Sequence, residues 1–154
     1  NLYGIYDNFH PENSHVIPAL IRRFHEAKIN NNTEIVIWGT GNAKREFLYV
    51  DDMAEASIFV IEMDEKVYRA NTKSMLSHIN VGTGVEHSVK FFVKKIQKIV
   101  KNKNIIKFNK KYPDGTPRKL LNSQIIRKLG WKPKTSLDNG LISTYKWYVK
   151  NYNK

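Results

Sequence analysis

Val89, Phe92, Val93, Ile96, Ile99 and Val100 recur at the three- and four-residue spacing that places them on one face of an α-helix, and lysines take the other face. A helix with such a stripe must bury it against a second layer, so the chain has to build a packed core. Ser88 opens this helix. A second stretch of the same kind, Val16, Ile17, Leu20, Ile21 and Phe24, predicts a helix over 15–27 with Ser14 as its N-cap. Pro18 sits early enough in it to fall among the amides that have no helical partner anyway.

The rest of the pattern mixes short strands with helices. Residues 35–38 and 46–50 read as strands joined through a Gly39-Thr40-Gly41 turn, and Asp51 or Asp52 is placed to cap a helix that Met53, Ala56, Ile58 and Val60 make mostly buried. Strands at 78–81 and 105–108, a loop through Pro117, a short helix ending at Leu129-Gly130 and a last helix from Ser136 to about Tyr148 complete it. This is an α/β class, with too few βαβ repeats for a whole doubly wound sheet. With 154 residues, 41% of them hydrophobic, the chain suits one modest domain or a large piece of a bigger one. No internal repeat or linker divides it. Its start at Asn1-Leu2-Tyr3-Gly4, without an initiator Met, reads as the end of a buried strand entering a loop, so a fragment is expected.

Composition removes several classes of function. The longest apolar runs are far short of the roughly 20 residues of a membrane span, and no charged stretch followed by an apolar run opens the chain. With no cysteine there is no disulfide, thiolate metal site or thiol acid, and a cytoplasmic setting fits. No metal site is expected. The net charge of +12 is concentrated: residues 1–89 carry 8 Lys/Arg against 12 Asp/Glu, residues 90–154 carry 18 against 2. Such asymmetry suits a polyanion partner, but 20 of the 26 basic residues are Lys, set among Asn runs such as Asn30-Asn31-Asn32, which reads as compositional drift on solvated faces. Nucleic acid is therefore the less favoured partner.

Two glycine pairs, Gly39-Thr40-Gly41 and Gly82-Thr83-Gly84, stop short of the G-x-G-x-x-G fingerprint for dinucleotides, because positions 44 and 87 are Lys and His. They read as turns. No Tyr is followed by Lys four positions later, so the pair that many short-chain reductases use for proton and hydride chemistry is absent.

A set of segments in order carries a resemblance over nearly the whole chain. They are Asn1-Leu2-Tyr3-Gly4, Asp7-Asn8-Phe9-His10-Pro11, Ser14-His15-Val16-Ile17-Pro18-Ala19-Leu20, Arg22-Arg23-Phe24-His25-Glu26, Trp38-Gly39-Thr40-Gly41, Arg45-Glu46-Phe47-Leu48 and Val50-Asp51-Asp52-Met53-Ala54. His78-Ile79-Asn80-Val81-Gly82-Thr83-Gly84, Pro113-Asp114-Gly115-Thr116-Pro117-Arg118-Lys119 and Leu129-Gly130-Trp131 follow. Together they resemble the C-terminal part of the GDP-L-fucose synthase family of extended short-chain dehydrogenases/reductases. The elements around His15 and Asp114 are the specific ones; the others are shared loosely by many nucleotide-sugar epimerases, dehydratases and reductases.

The resemblance implies a substrate-binding C-terminal lobe: residues 1–14 end a cofactor-domain strand and its active-site loop, residues 15–154 form the substrate lobe, and the NADP-binding Rossmann half is missing. The intact enzyme would epimerise GDP-4-keto-6-deoxy-D-mannose at two ring carbons beside the ketone and reduce it with NADPH to GDP-L-fucose, as a homodimer; this chain alone would be inactive. His15 matches an acid/base of the epimerisation and also the cofactor's neighbourhood, as do Asn1 and Leu2. An imidazole, with an ordinary pKa of about 6.5, suits proton transfer near neutral pH. Arg23 and Arg45 match substrate-binding arginines, whose guanidinium geometry suits a pyrophosphate. Trp38 matches a residue beside the nucleotide, and Asp114 one that accepts hydrogen bonds from guanine N–H groups or a ribose hydroxyl, with Arg118 and Lys119 adding charge. Read alone, His15 is a histidine satisfied near a helix start, the arginines are surface residues, Trp38 is core and Asp114 is a turn residue. Rival readings are another nucleotide-sugar epimerase or dehydratase, a basic nucleic-acid module, and an interaction fragment without activity.

Overall fold

The structure, a computed structural model, describes residues 1–152. In chain order it contains β1 (Leu2–Tyr3), α1 (Val16–Ile29), β2 (Glu34–Trp38), β3 (Lys44–Glu46), β4 (Leu48–Tyr49), α2 (Val50–Ile61), α3 (Glu65–Asn71), β5 (Glu86–Ser88), α4 (Val89–Val100), β6 (Ile105–Asn109), β7 (Arg118–Lys119), α5 (Gln124–Lys128) and α6 (Leu137–Tyr152). The class is α/β, as expected.

The two amphipathic helices meet each other. Ile17, Leu20, Ile21 and Phe24 of α1 and Phe92, Val93, Ile96 and Val100 of α4 are buried in one cluster with Ile35 and Ile37 of β2 and Leu141 and Tyr148 of α6. Burying each of these side chains contributes about 1.5–3 kcal/mol. Ser88 caps α4, accepting from the Phe91 amide at 3.2 Å. Ser14 does not cap α1. His15 holds that position in extended conformation, with no side-chain hydrogen bond to the helix.

Strand pairing departs from the sequence reading. The expected strand over 46–50 is split: Glu46 pairs with Glu86 in the three-stranded sheet β5-β3-β7, Leu48 pairs in parallel with Leu2, and Val50 already begins α2. The chain changes sheets at Phe47, whose buried ring anchors the crossing against Phe92. Residues 78–81 form no ladder among the described residues. β2 and β6 pair in parallel along their whole length, Glu34 opposite Ile105 to Trp38 opposite Asn109, which brings the loop after β6 alongside the loop after β2.

Neither Asp51 nor Asp52 is the N-cap of α2; Tyr49 is, and both aspartates lie in the first turn. Asp52 is buried and turns outward from the helix to accept from the amides of Lys134 and Thr135, each at 3.1 Å. Nor is α2 mostly buried, since only Asp52 and Ala56 are enclosed and Ile58 is 54% exposed. Helix α3 has no counterpart in the sequence reading. A smaller apolar cluster joins Leu48, Ala56, Ile126 and Trp131, and α5 ends as expected at Leu129, with Gly130 at φ +105°.

Candidate nucleotide-sugar site

The C-terminal end of β2 organises one end of the site. The turn after Trp38 requires left-handed backbone at Gly39 and Gly41 (φ +80° and +73°), and the Asp114 carboxylate fixes it. That carboxylate accepts from the Thr40 amide at 2.7 Å, the Thr40 hydroxyl at 2.5 Å and the Gly41 amide at 3.3 Å. These bonds, the hydroxyl's first, hold Asp114 below the usual carboxylate range. Asp114 thus stands beside the expected site, with its carboxylate engaged by the chain itself in clasping two loops together.

Arg23 reaches this place from α1. Its guanidinium lies 4.8 Å from the centroid of the Trp38 ring and donates to the Val36 carbonyl at 3.3 Å. Partial burial, with Arg22 beside it, pulls its pKa below the ordinary value, so an anionic ligand would restore favourable surroundings. Trp38 is not core: it is 52% exposed, with Tyr112 stacked on it at 4.5 Å and 11° between planes. Arg45 of β3 donates to the Lys44 carbonyl at 2.7 Å and at 3.5 Å to the Asp114 carbonyl. Four residues spread over 92 positions of sequence, Arg23, Trp38, Arg45 and Asp114, therefore converge on one edge.

A groove of about 170 Å³ leads from Trp38 and Arg23 past Val16, Ser14 and Pro11 along the start of α1. Around the N-terminus of that helix lies an open hollow of about 450 Å³ whose wall includes Leu2, Tyr6, Asp7, His15 and Val50. His15 is exposed there, and Leu2, 44% exposed, shares the hollow with it. The Asn1 side chain points elsewhere, donating to the Glu46 carbonyl at 2.9 Å. Asp7 was not singled out in the sequence. Its Oδ1 accepts from the Asn8 amide at 2.7 Å while Oδ2 is buried without a partner, and burial raises its pKa against the opposing pull of that amide and of His15.

The other glycine pair is structural. Buried Glu46 accepts from the Gly84 amide at 2.5 Å, the Thr83 hydroxyl at 3.2 Å and the Leu121 amide at 3.0 Å, so the Gly82-Thr83-Gly84 turn wraps a carboxylate. A cleft of about 440 Å³ beside it is lined by Arg118 and Arg127, but Arg118 is paired with Glu86 at 2.8 Å and Arg127 donates to the Thr83 carbonyl. Lys119 lies beside Arg118 in β7, exposed and away from Trp38's groove lining. Of the basic C-terminal stretch, Lys95, Lys107, Arg118 and Lys134 face Asp138, Glu34, Glu86 and Glu55 respectively. No group of His, Asp or Glu suited to a metal ion occurs among the described residues, and none of their helices is long and apolar enough to cross a membrane.

The architecture is that of the C-terminal part of an extended short-chain dehydrogenase/reductase. Over 97% of its length the chain superposes on 52% of a GDP-6-OMe-4-keto-L-xylo-heptose reductase from Campylobacter jejuni, with a TM-score of 0.87 and 33% identity. It also matches, at 32% identity and a TM-score of 0.80, a Campylobacter jejuni GDP-mannoheptose C4 reductase with NADP bound, covering 96% of this chain and 50% of that one. Residues 1–82 match the NAD dependent epimerase/dehydratase family, and the chain belongs to that family. In sequence it is 53% identical over 154 residues to the GDP-L-fucose synthase of Escherichia coli (strain K12), covering all of this chain and 48% of that protein. The chain spans about half the length of the curated relatives it matches.

Proposed function

We propose that this chain is the substrate-binding lobe of a GDP-L-fucose synthase, with residues 1–14 closing a cofactor domain and residues 15–154 holding the sugar nucleotide. The observation that carries the reading is the convergence of Arg23, Trp38, Arg45 and Asp114 on the end of β2, beside a groove that reaches Ser14 and Val16, the chain neighbours of the His15 that lines the hollow. The Escherichia coli relative's name and the GDP-sugar reductases among the solved structures support it. In this arrangement the diphosphate faces the guanidinium groups of Arg23 and Arg45, the base lies against Trp38, and the sugar reaches His15. Asp114 holds the Gly39–Gly41 turn on which this depends and offers its exposed loop to the nucleoside.

His15 then removes a proton from the carbon beside the ketone: the C–H pair becomes part of an enolate and the proton goes to the imidazole, while an acid on the opposite face protonates the same carbon with inverted configuration. The Asp7 carboxyl, whose pKa is raised by its own burial, lines the same hollow as this imidazole. NADPH would supply the hydride for reduction of the ketone. Of its contacts, this chain would provide the exposed apolar surface of Leu2 and the rim at His15, with Asn1 entering through its backbone beside Leu2. The phosphate-cradling glycine loop and the Tyr-Lys pair belong to an N-terminal half. The reading carries with it a homodimer and a cytoplasmic setting, the latter in keeping with the absence of cysteine.

Calorimetric titration of the chain with GDP and UDP tests the site. GDP should bind in preference to UDP, and Arg23→Ala or Arg45→Ala should each weaken it by about 1.5–3 kcal/mol, the scale of a charged hydrogen bond, with Lys restoring only part. Equal affinity for both nucleotides, or unchanged GDP affinity in both variants, would remove the reading.

A further inference from the structure

The indole of Trp38 projects into solvent, yet Tyr112 already covers it. The stacking serves neither apolar cluster, since Tyr112 is 43% exposed and belongs to neither. What holds the ring there is the backbone on either side. Before it, the Asn109 carbonyl accepts from the Gly39 amide at 2.9 Å and the Tyr112 amide at 3.3 Å, while the Asn109 side chain accepts from the Lys111 amide at 3.0 Å. Two residues after it, Asp114 holds Thr40 and Gly41. Both anchors grip the residues that directly follow Trp38, and Pro113 stiffens the chain between Tyr112 and Asp114. The tyrosine backbone is therefore fixed beside the indole, and rotation of the side chain is left as the way to part the rings.

We propose that Trp38 and Tyr112, which stack on each other here, are the two walls of an aromatic clamp that parts to take the purine base of the nucleotide between them. The inference rests on the reading that Trp38 faces the base. A centroid separation of 4.5 Å has no room for a third ring. A stacked base needs the walls about 7 Å apart, two van der Waals thicknesses of roughly 3.5 Å each. Turning Tyr112 outward opens that gap without breaking either loop anchor, and the ring then closes on the free face of the base. Stacking of this kind tolerates any base but rewards area, so the fused rings of a purine gain more from two walls than a pyrimidine does. The Arg23 guanidinium, 4.8 Å from the indole centroid, adds a cation beside the stack.

The test is a titration of GDP and UDP into the chain and into Tyr112→Ala, Tyr112→Phe and Trp38→Ala, read by calorimetry. Trp38 fluorescence is isolated by subtracting a Trp38→Phe variant. Tyr112→Ala should weaken GDP binding about 5- to 150-fold, the range found for removing one base–aromatic stack, and UDP binding less. Tyr112→Phe should stay within about 2-fold, and GDP should change the Trp38 emission in the parent but far less in Tyr112→Ala. GDP binding that is unchanged or tighter in Tyr112→Ala, while Trp38→Ala weakens it, would overturn the clamp and leave the base site standing. Unchanged GDP affinity in Trp38→Ala, or no GDP binding by the parent chain at millimolar concentration, would overturn the base site and the clamp together.

Discussion

Glu46→Ala should be among the most destabilising single changes in this chain, because its carboxylate holds three segments at once. The side chain sits in β3 with 3% of the residue exposed, and it satisfies the Gly84 amide, the Thr83 hydroxyl and the Leu121 amide. Truncation strands two backbone donors. Each costs about 1–3 kcal/mol if it stays dry, and re-entry of water on the half-open Leu121 side lowers the sum, so about 2–5 kcal/mol is expected. That is a large share of the roughly 5–15 kcal/mol that stabilises an ordinary domain. Glu46→Gln keeps the shape but turns an N–H group toward a donor, and should lose about 1–3 kcal/mol. The geometry also sets a double-mutant cycle. A Cβ added at Gly82 would stand 2.6 Å from the Glu46 Oε1, so Gly82→Ala is destabilising in the parent and much less so once Glu46 is Ala. Urea unfolding followed by circular dichroism, with an unchanged denaturant slope, gives each value. A loss below about 1 kcal/mol for Glu46→Ala, or strict additivity of the pair, would refute the clamp around Glu46.

Two further outcomes follow from the hollow at the start of α1. Burial holds the folded-state pKa of Asp7 above its ordinary 3.8, so the native chain binds this proton more tightly than the unfolded one and the buried charge destabilises the fold at higher pH. Asp7→Asn should therefore raise the melting temperature at pH 7, with the gain shrinking to nothing as the pH falls below 3.8; a gain independent of pH would contradict this. His15→Gln, in an enzyme where this chain is joined to an N-terminal half, should slow solvent deuterium incorporation beside the ketone by about 100-fold or more and barely change GDP affinity. Wild-type exchange, read by mass spectrometry, would reduce His15 to a structural residue.

The helices that carry the core were legible because their signal is local. The spacing in 89–100 and 16–24 repeats every 3.6 residues whatever the rest of the chain does, and α1 and α4 appear where that spacing puts them. The glycine turns were legible for the same reason, since Gly39, Gly41 and Gly84 all take positive φ. Strands were read less well. Whether an extended run becomes a strand depends on finding a ladder partner, which 46–50 found in two different sheets and 78–81 did not find. The face of α2 misled because its apolar residues surround the helix, and only contact with β4 and α5 decides which of them are covered.

At the site, only the family resemblance singled out His15, Arg23, Trp38, Arg45 and Asp114, whereas pattern and spacing gave the α/β class and the lack of a complete dinucleotide loop. Their assembly is tertiary. Asp114 reaches Thr40 across 74 positions and Glu46 reaches Leu121 across 75, distances over which no sequence period carries information. The parallel register of β2 with β6 performs that juxtaposition, setting Trp38 opposite Asn109 and so bringing Tyr112 onto the indole. Nothing in the composition around Tyr112 announces it: an exposed tyrosine in a lysine-rich loop acquires a role only when backbone pairing sets another ring beneath it.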